Sequence, residues 1–513
     1  MKKQFSSTIV GATFLISLTG LVSKGVGFLR EILYANYFGL QSEFDIYLVS
    51  AALPMIISTM LLYLGQNYFI PAFNNIDVSE KMERKNYFIK SFWFFLLFGI
   101  IISVILIIVS VPLINLFLKG FNKERIELAV LIFRLFIFSL PLASMVSIIS
   151  AYQQANFQYK APALSQLLVN ITLVILLFMF NKNFGIVIIP IGLLVGTLLQ
   201  LLYLSLKIDV SITEFFKKME LDLKKLSFPF SFLTIISIEF IGQLYTISDR
   251  YFISQIDPGG IAALNYSMNL VLLPISIFSL AISTAIFPKL SENFATSSLD
   301  NLQKNFNLSI VFNLMIFIPI TTILFFFGDE IIKILFERGN FSQVDSMMTF
   351  NLTKILALSL IFYSSYGVAN KLIYSINQVK KLLWLTVIGL LLKIVLNFIF
   401  VKEFKQTGLA ISTVISYVFF FVGSIYIIQQ SINIQSKSVF IKAATLLSVN
   451  GVFAFITTRF IIDELSLSVV LSSVISIALF IIIFYFNIIY IRDPVIQILK
   501  SLSHDFFYKK NNL

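Results

Sequence analysis

The residues able to do chemistry stand where charge is costly. Between Ser23 and Pro54 the chain reads SKGVGFLREILYANYFGLQSEFDIYLVSAALP, which places Lys24, Arg30, Glu31 and Asp45 in the first two of many apolar stretches. A charge at mid-bilayer depth costs at least about 2.5 to 3.5 kcal/mol on insertion scales, so each needs a reason to be there. On a helix at about 100° per residue, Gly20, Lys24, Gly27 and Glu31 share a stripe about 60° wide, with Arg30 about 60° beyond its edge. Two readings fit this pattern. In one, a water-filled cavity presents Lys24 and Arg30 to an anionic substrate while Glu31 and Asp45 position or release them. In the other, an internal Lys24 to Glu31 ion pair only orients helices.

Other polar residues within apolar stretches include Arg134, Asp249, Arg250, Lys354 and Lys393. Glu239 and Gln243 are spaced i, i+4 and offer a partner face to the Lys24 stripe; as an alternative, they supply an interhelical hydrogen bond worth about 0.6 kcal/mol in membranes. Arg134 is a second cation for the same substrate, on a helix without a small-residue flank. Asp249 and Arg250 are expected at the outer end of their span, as an interfacial or gating pair. Pro54, Pro71, Pro141, Pro274 and Pro288 are hinges or simple kinks.

The elements that hold these residues follow from composition. Of 513 residues, 58% are hydrophobic and 12% charged, against about 25% charged in soluble domains, and the mean hydropathy is +0.92. These values specify a polytopic membrane protein. Runs such as Ile100 to Val111 are apolar all round, which indicates helices rather than the alternating strands of a barrel. About fourteen spans of about 20 residues can be placed. Lys2 and Lys3 lead into apolar sequence with no small-residue cleavage site, so the first span is expected to be retained. Lys and Arg concentrate in the loops that become cytoplasmic when both termini are inside. The formal charge of +12 is spread over these short loops rather than gathered for nucleic acid. Cysteine is absent and the one histidine is His504 in the tail, so disulfides, Cys/His metal sites and cysteine or histidine catalysis are excluded. No nucleotide-binding loop and no acidic loop cluster is present, so enzymatic activity and a bound metal are not expected.

The organisation divides at 207–226, KIDVSITEFFKKMELDLKKL, which reads as an interfacial amphipathic helix on the cytoplasmic face or a solvated linker. On either side, Tyr152, Gln158 and Lys160 recur as Tyr374, Gln378 and Lys380, and Asp45 precedes Pro54 by the interval that separates Asn265 from Pro274. This offset of about 220 residues argues for two homologous six-helix lobes related by an axis along the membrane normal, with the site at their interface. The expected domains are 1–206, with spans one to six; the linker 207–226; 227–433, with spans seven to twelve; 434–491, with two further C-terminal helices; and a basic tail, 492–513.

The Ser23 to Pro54 motif resembles the N-terminal signature of the MviN/MurJ lipid II flippase family. GQNYFIPAF at 65–73, AISTAIFPKLSE at 281–292 and LFERGNFSQVDSMMT at 335–349 resemble it too. The resemblance implies the fold of the multidrug/oligosaccharidyl-lipid/polysaccharide (MOP) exporter superfamily, with the last two helices forming a lipid-facing groove. It also implies that Lys24, Arg30 and Asp45 line a cationic cavity. Two family arginines fall at Ser58 or Thr59 and at Asn269 here, and SDRYFISQIDPGGIAALNYSMNLV resembles O-antigen and capsule repeat-unit flippases of the same superfamily. The expectation is a monomeric flippase of the bacterial cytoplasmic membrane. It would move an undecaprenyl-pyrophosphate-linked saccharide, lipid II or a related repeat unit, from the inner to the outer leaflet by alternating access. Its partners are this lipid-linked saccharide and membrane lipids, and no cofactor is expected. Na+, H+ or the membrane potential would supply the energy. Competing readings are a flippase specific to O-antigen or capsule units, a cation-coupled multidrug antiporter, which would want an acidic cavity, and a non-transporting scaffold.

Overall fold

A computed structural model describes residues 9–77, 79–119, 121–208, 210, 230–252, 255–434, 436–463 and 469–490. The tail 492–513 and nearly all of the linker 207–226 lie outside the described residues. Among the described residues the regular elements are all helical, and they pack as two units, Met1–Ala262 and Ala263–Leu513. Among the described residues, nine helices are long and apolar enough to cross a membrane, or ten if the bent pair Gln343–Ala357 and Ser359–Ser375 is one span.

Two of these helical runs are too long for one crossing. Lys160–Ser205 has 46 residues and Val379–Ile432 has 54, yet a hydrocarbon core of about 30 Å needs only about 20 residues. Each run breaks near its middle. The first ends at Gly185, whose φ of 52° suits a residue without Cβ, and the second turns at Lys405, with φ 48° and ψ −131°. The halves then fold back on each other: the backbones of Gly192 and Gly196 lie against Leu173 and Val169, and Gly389 and Gly423 lie against Phe420 and Leu385.

In the first unit, α1 (Ile9–Phe38) closes at Gly39, with φ 52°, and α2 follows as Ser42–Asn74. This second helix contains Pro54 and a π turn at Gly65–Phe69. It packs on α3 (Lys123–Ala155), whose start is capped by Asn122 accepting from the Arg125 backbone N–H. The contact is very close at Gly65, where a Cβ would lie 2.0 Å from Ser147 Oγ, and Ser147 Oγ donates to the Leu61 carbonyl at 2.7 Å. Below the turn, Phe69, Phe73 and Phe88 enter an aromatic core with Tyr152, the last two rings stacking at 4.0 Å.

The second unit repeats this device internally. Helix Gly260–Ala295 contains Pro274 and a π turn at Ile275–Ser279, and a Cβ on Gly367 would stand 3.1 Å from Ser279 Oγ. The small residue has moved to the other helix of the pair, but the close approach is kept.

A Gly65→Val substitution forces a branched side chain onto Ser147. It should destabilise the protein by about 1 to 3 kcal/mol, as overpacking does. Thermal unfolding in detergent should show a lower midpoint, and an unchanged midpoint would contradict the close approach.

Candidate functional site

The first unit encloses a cavity of about 590 Å³ between α1, α2, α3 and the two halves of 160–205. From α1 it is lined by Gly20, Ser23 and Arg30. The side of the helix turned to the cavity is therefore the Ser23 and Arg30 side, about 60 to 80° round from Gly20 at 100° per residue. Lys24 is half-buried on the same helix and is not among the lining residues.

Arg30 is held by two groups. Its Nη2 pairs with Glu31 Oε1 at 2.7 Å and its Nη1 donates to Asn170 Oδ1 at 3.1 Å, while the guanidinium lies 5.5 Å from the Tyr34 ring centre. Arg30 Nε is buried and has no hydrogen-bond acceptor among the described residues. Side-chain exposures of 25% for Arg30 and 12% for Glu31 mean that the pair is only partly desolvated. Glu31, placed on the Lys24 stripe by sequence, thus partners its neighbour Arg30.

The rest of the lining is neutral and rich in hydrogen-bonding groups. Gln66, Gln154, Gln166, Asn170 and Gln200 contribute amides, and Ser58 and Thr59 contribute hydroxyls where the family resemblance would place an arginine. Gln200 Nε2 donates to Ser165 Oγ at 3.1 Å, so at least one amide is already oriented. These amides were not candidates from the sequence, where charge dominated the reading. The available signal was Gln166 and Asn170 at i, i+4 within an apolar helix, with Gln200 alone in another.

Asp45 does not line the cavity. It is 3% exposed, and its Oδ2 and Oδ1 accept from the backbone N–H groups of Gly259 and Ala262, each at 2.6 Å. The carboxylate therefore satisfies donors at the start of the helix beginning at Gly260, where intrahelical acceptors are lacking. Glu239 and Gln243 sit on Phe230–Arg250, a helix packed against α2, and are exposed and half-buried respectively. Arg134 is exposed, and its Nε donates to Ser110 Oγ at 3.1 Å, tying α3 to the start of the preceding helix, Ser110–Phe117. Asn269 is half-buried in the second unit. Among the sequence candidates, then, the cavity brings together Arg30 and, through it, Glu31. Among the described residues no group of three acidic or histidine side chains gathers as a metal site.

A family model described as lipid II flippase MurJ matches residues 34–488. The chain belongs to the MurJ family. The match begins just after Lys24, Arg30 and Glu31. A protein of Borreliella burgdorferi named probable lipid II flippase MurJ is 25% identical over 80% of this chain and 83% of its own length. A lipid II flippase MurJ of Thermosipho africanus is 26% identical over 82% and 85%. Among solved structures, a lipid II flippase MurJ in an inward closed conformation superposes with a TM-score of 0.76 at 23% identity, covering 94% of this chain and 99% of that one. An inward-facing MATE family multidrug transporter of the MOP superfamily gives 0.64 at 16% identity, covering 79% and 93%. The fold is that of the MOP superfamily, and the family is one of transporters rather than enzymes.

Asp45 should behave as a helix anchor. Each hydrogen bond to a charged group contributes about 1.5 to 3 kcal/mol. Asp45→Ala should therefore lower the thermal midpoint clearly, and Asp45→Asn, which keeps one acceptor oxygen, should lower it less. Equal stability of all three proteins in thermal unfolding would show that the anchor carries no weight.

Proposed function

We propose that this chain is a flippase that carries lipid II from the inner to the outer leaflet of a bacterial cytoplasmic membrane. Membership of the MurJ family supports the cargo. The site supports it through one observation: a single arginine, Arg30, partly exposed in the wall of an amide- and hydroxyl-lined cavity. Guanidinium groups match phosphate oxygens with fixed, forked donors. Amides both donate and accept, as recognition of a saccharide requires. The 590 Å³ of the cavity lies within the usual range for small-molecule sites, about 300 to 1,000 Å³.

In this reading Arg30 meets the pyrophosphate and Glu31 holds the guanidinium when the anion is absent. Exchange of the Glu31 contact for a phosphate contact keeps the arginine paired throughout, which matters because an uncompensated charge in low dielectric costs several kcal/mol. The amides of Gln66, Gln154, Gln166 and Gln200 take the sugar, and the polyprenyl tail stays among the apolar outer surfaces. Lys24 contributes a longer-range positive field. Transport proceeds by alternating access in a monomer with both termini in the cytoplasm, and an ion gradient or the membrane potential supplies the energy. A multidrug antiporter reading is less suited to a cavity whose charged lining residue is a cation.

Complementation of a strain depleted of its lipid II flippase is the direct test. The wild-type chain should restore growth. In reconstituted vesicles Arg30→Ala should reduce lipid II transport about 10- to 100-fold, the equivalent of one charge-assisted hydrogen bond, with expression checked by immunoblot. Lys24→Ala should cost less. Failure to complement, together with transport of a capsule-type repeat unit, would move the cargo to the other branch of the superfamily. Full activity of Arg30→Ala would remove the arginine from the site.

A further inference from the structure

Lys393 is fully buried in the second unit, at 0% exposure. It lies on the first half of the helical hairpin 379–432, on the same buried stripe as Leu382, Thr386, Gly389 and Asn397. The other half faces it with a polar stripe, Gly408, Ser412, Thr413 and Ser416, all buried. Lys393 Nζ donates to the Leu409 carbonyl oxygen at 3.1 Å and to Thr413 Oγ1. Thr413 Oγ1 in turn donates to the same Leu409 carbonyl at 2.9 Å, so its lone pairs are directed to the ammonium. These two acceptors, a backbone carbonyl and a hydroxyl, lie in the first turns after the break at Lys405.

Backbone carbonyl oxygens at helix breaks hold monovalent cations in transporter folds, and a hydroxyl oxygen is a neutral acceptor of the same kind. An ammonium is the covalent counterpart of such an ion: one positive charge, donors only, and oxygens at about 3 Å. A dissolved cation entering the same pocket would meet a like charge in a low dielectric. We propose that the Lys393 ammonium is the resident monovalent cation of the second unit, filling an oxygen site that would otherwise take Na+ or K+, so that this site binds neither ion. Because the ammonium is tethered, the two halves of the hairpin are held together irrespective of the ionic composition outside.

The test reads binding rather than transport. Thermal unfolding of the purified full chain is followed in NaCl, KCl and choline chloride at equal ionic strength. The wild-type midpoint should be the same in all three. Lys393→Ala should unfold roughly 5 °C lower or more in choline, and Na+ or K+ should raise that midpoint saturably, since the vacated oxygens then accept an ion. A saturable rise in the wild-type protein with either ion would overturn the proposal. So would a Lys393→Ala protein with the wild-type midpoint, or one whose lowered midpoint ignores both ions, which would reduce the lysine to a helix clamp. If Lys393→Ala cannot be purified, Thr413→Val decides. It removes an oxygen but leaves the ammonium, so an ion-independent midpoint supports the proposal and an ion-dependent one overturns it.

Discussion

Desolvation governs this protein. Inside a bilayer a charge or a backbone N–H has no water to fall back on, and each must find a partner within the chain. The buried ionisable groups show three solutions. Asp45 spends its carboxylate on two backbone donors. Lys393 spends its ammonium on a carbonyl and a hydroxyl. Arg30 is only partly spent: Glu31 and Asn170 engage its terminal nitrogens, but its side chain stays 25% exposed and lines a cavity. The difference between scaffold and site is thus a difference in how completely each charge is satisfied. Only a group with remaining hydrogen-bonding capacity and a space beside it can receive a ligand.

The same constraint made the fold class readable. A chain with 58% hydrophobic residues must hide its backbone in helices once it enters lipid, and helix positions then follow from the lengths of apolar runs. Among the described residues nine or ten apolar helices are long enough to cross, two of them broken runs of 46 and 54 residues, against about fourteen spans placed from the sequence. The site was only partly legible. Arg30 could be found because charge in an apolar run is conspicuous, but its sidedness could not be fixed from angles alone. Ser23 and Arg30 turned out to share the cavity side, whereas of the stripe drawn through Lys24 only Gly20 lines it. Asp45 looked like a site residue for the same reason that Arg30 did. Its partners, Gly259 and Ala262, are more than two hundred positions away, and nothing local in the sequence discloses a carboxylate that caps a distant helix. The amides were missed for the opposite reason: Gln66, Gln154, Gln166 and Gln200 cost less to bury than ions, so they stand out less against apolar neighbours.

Family membership and local chemistry answer different questions. The match over residues 34–488 identifies the transporter family, while Ser58 and Thr59 in the cavity wall are properties of this chain. With hydroxyls and amides outnumbering cations around the cavity, the proposed binding there would draw more on neutral hydrogen bonding than on Coulomb attraction. Recognition of that kind is short-ranged and less weakened by salt than a surface rich in lysine and arginine would be.

The π turn at Gly65–Phe69 has a bearing on how the second helix is read by its neighbours. Such a turn accommodates one extra residue and rotates everything beyond it by about 100° relative to an uninterrupted α-helix. The segment around Ser58 and Thr59 and the segment around Phe69 and Phe73 are therefore out of phase: one addresses the cavity, the other the aromatic core. A single rod thereby presents two independent faces, and residues on the cavity side can diversify toward a new cargo while the aromatic anchor keeps its register.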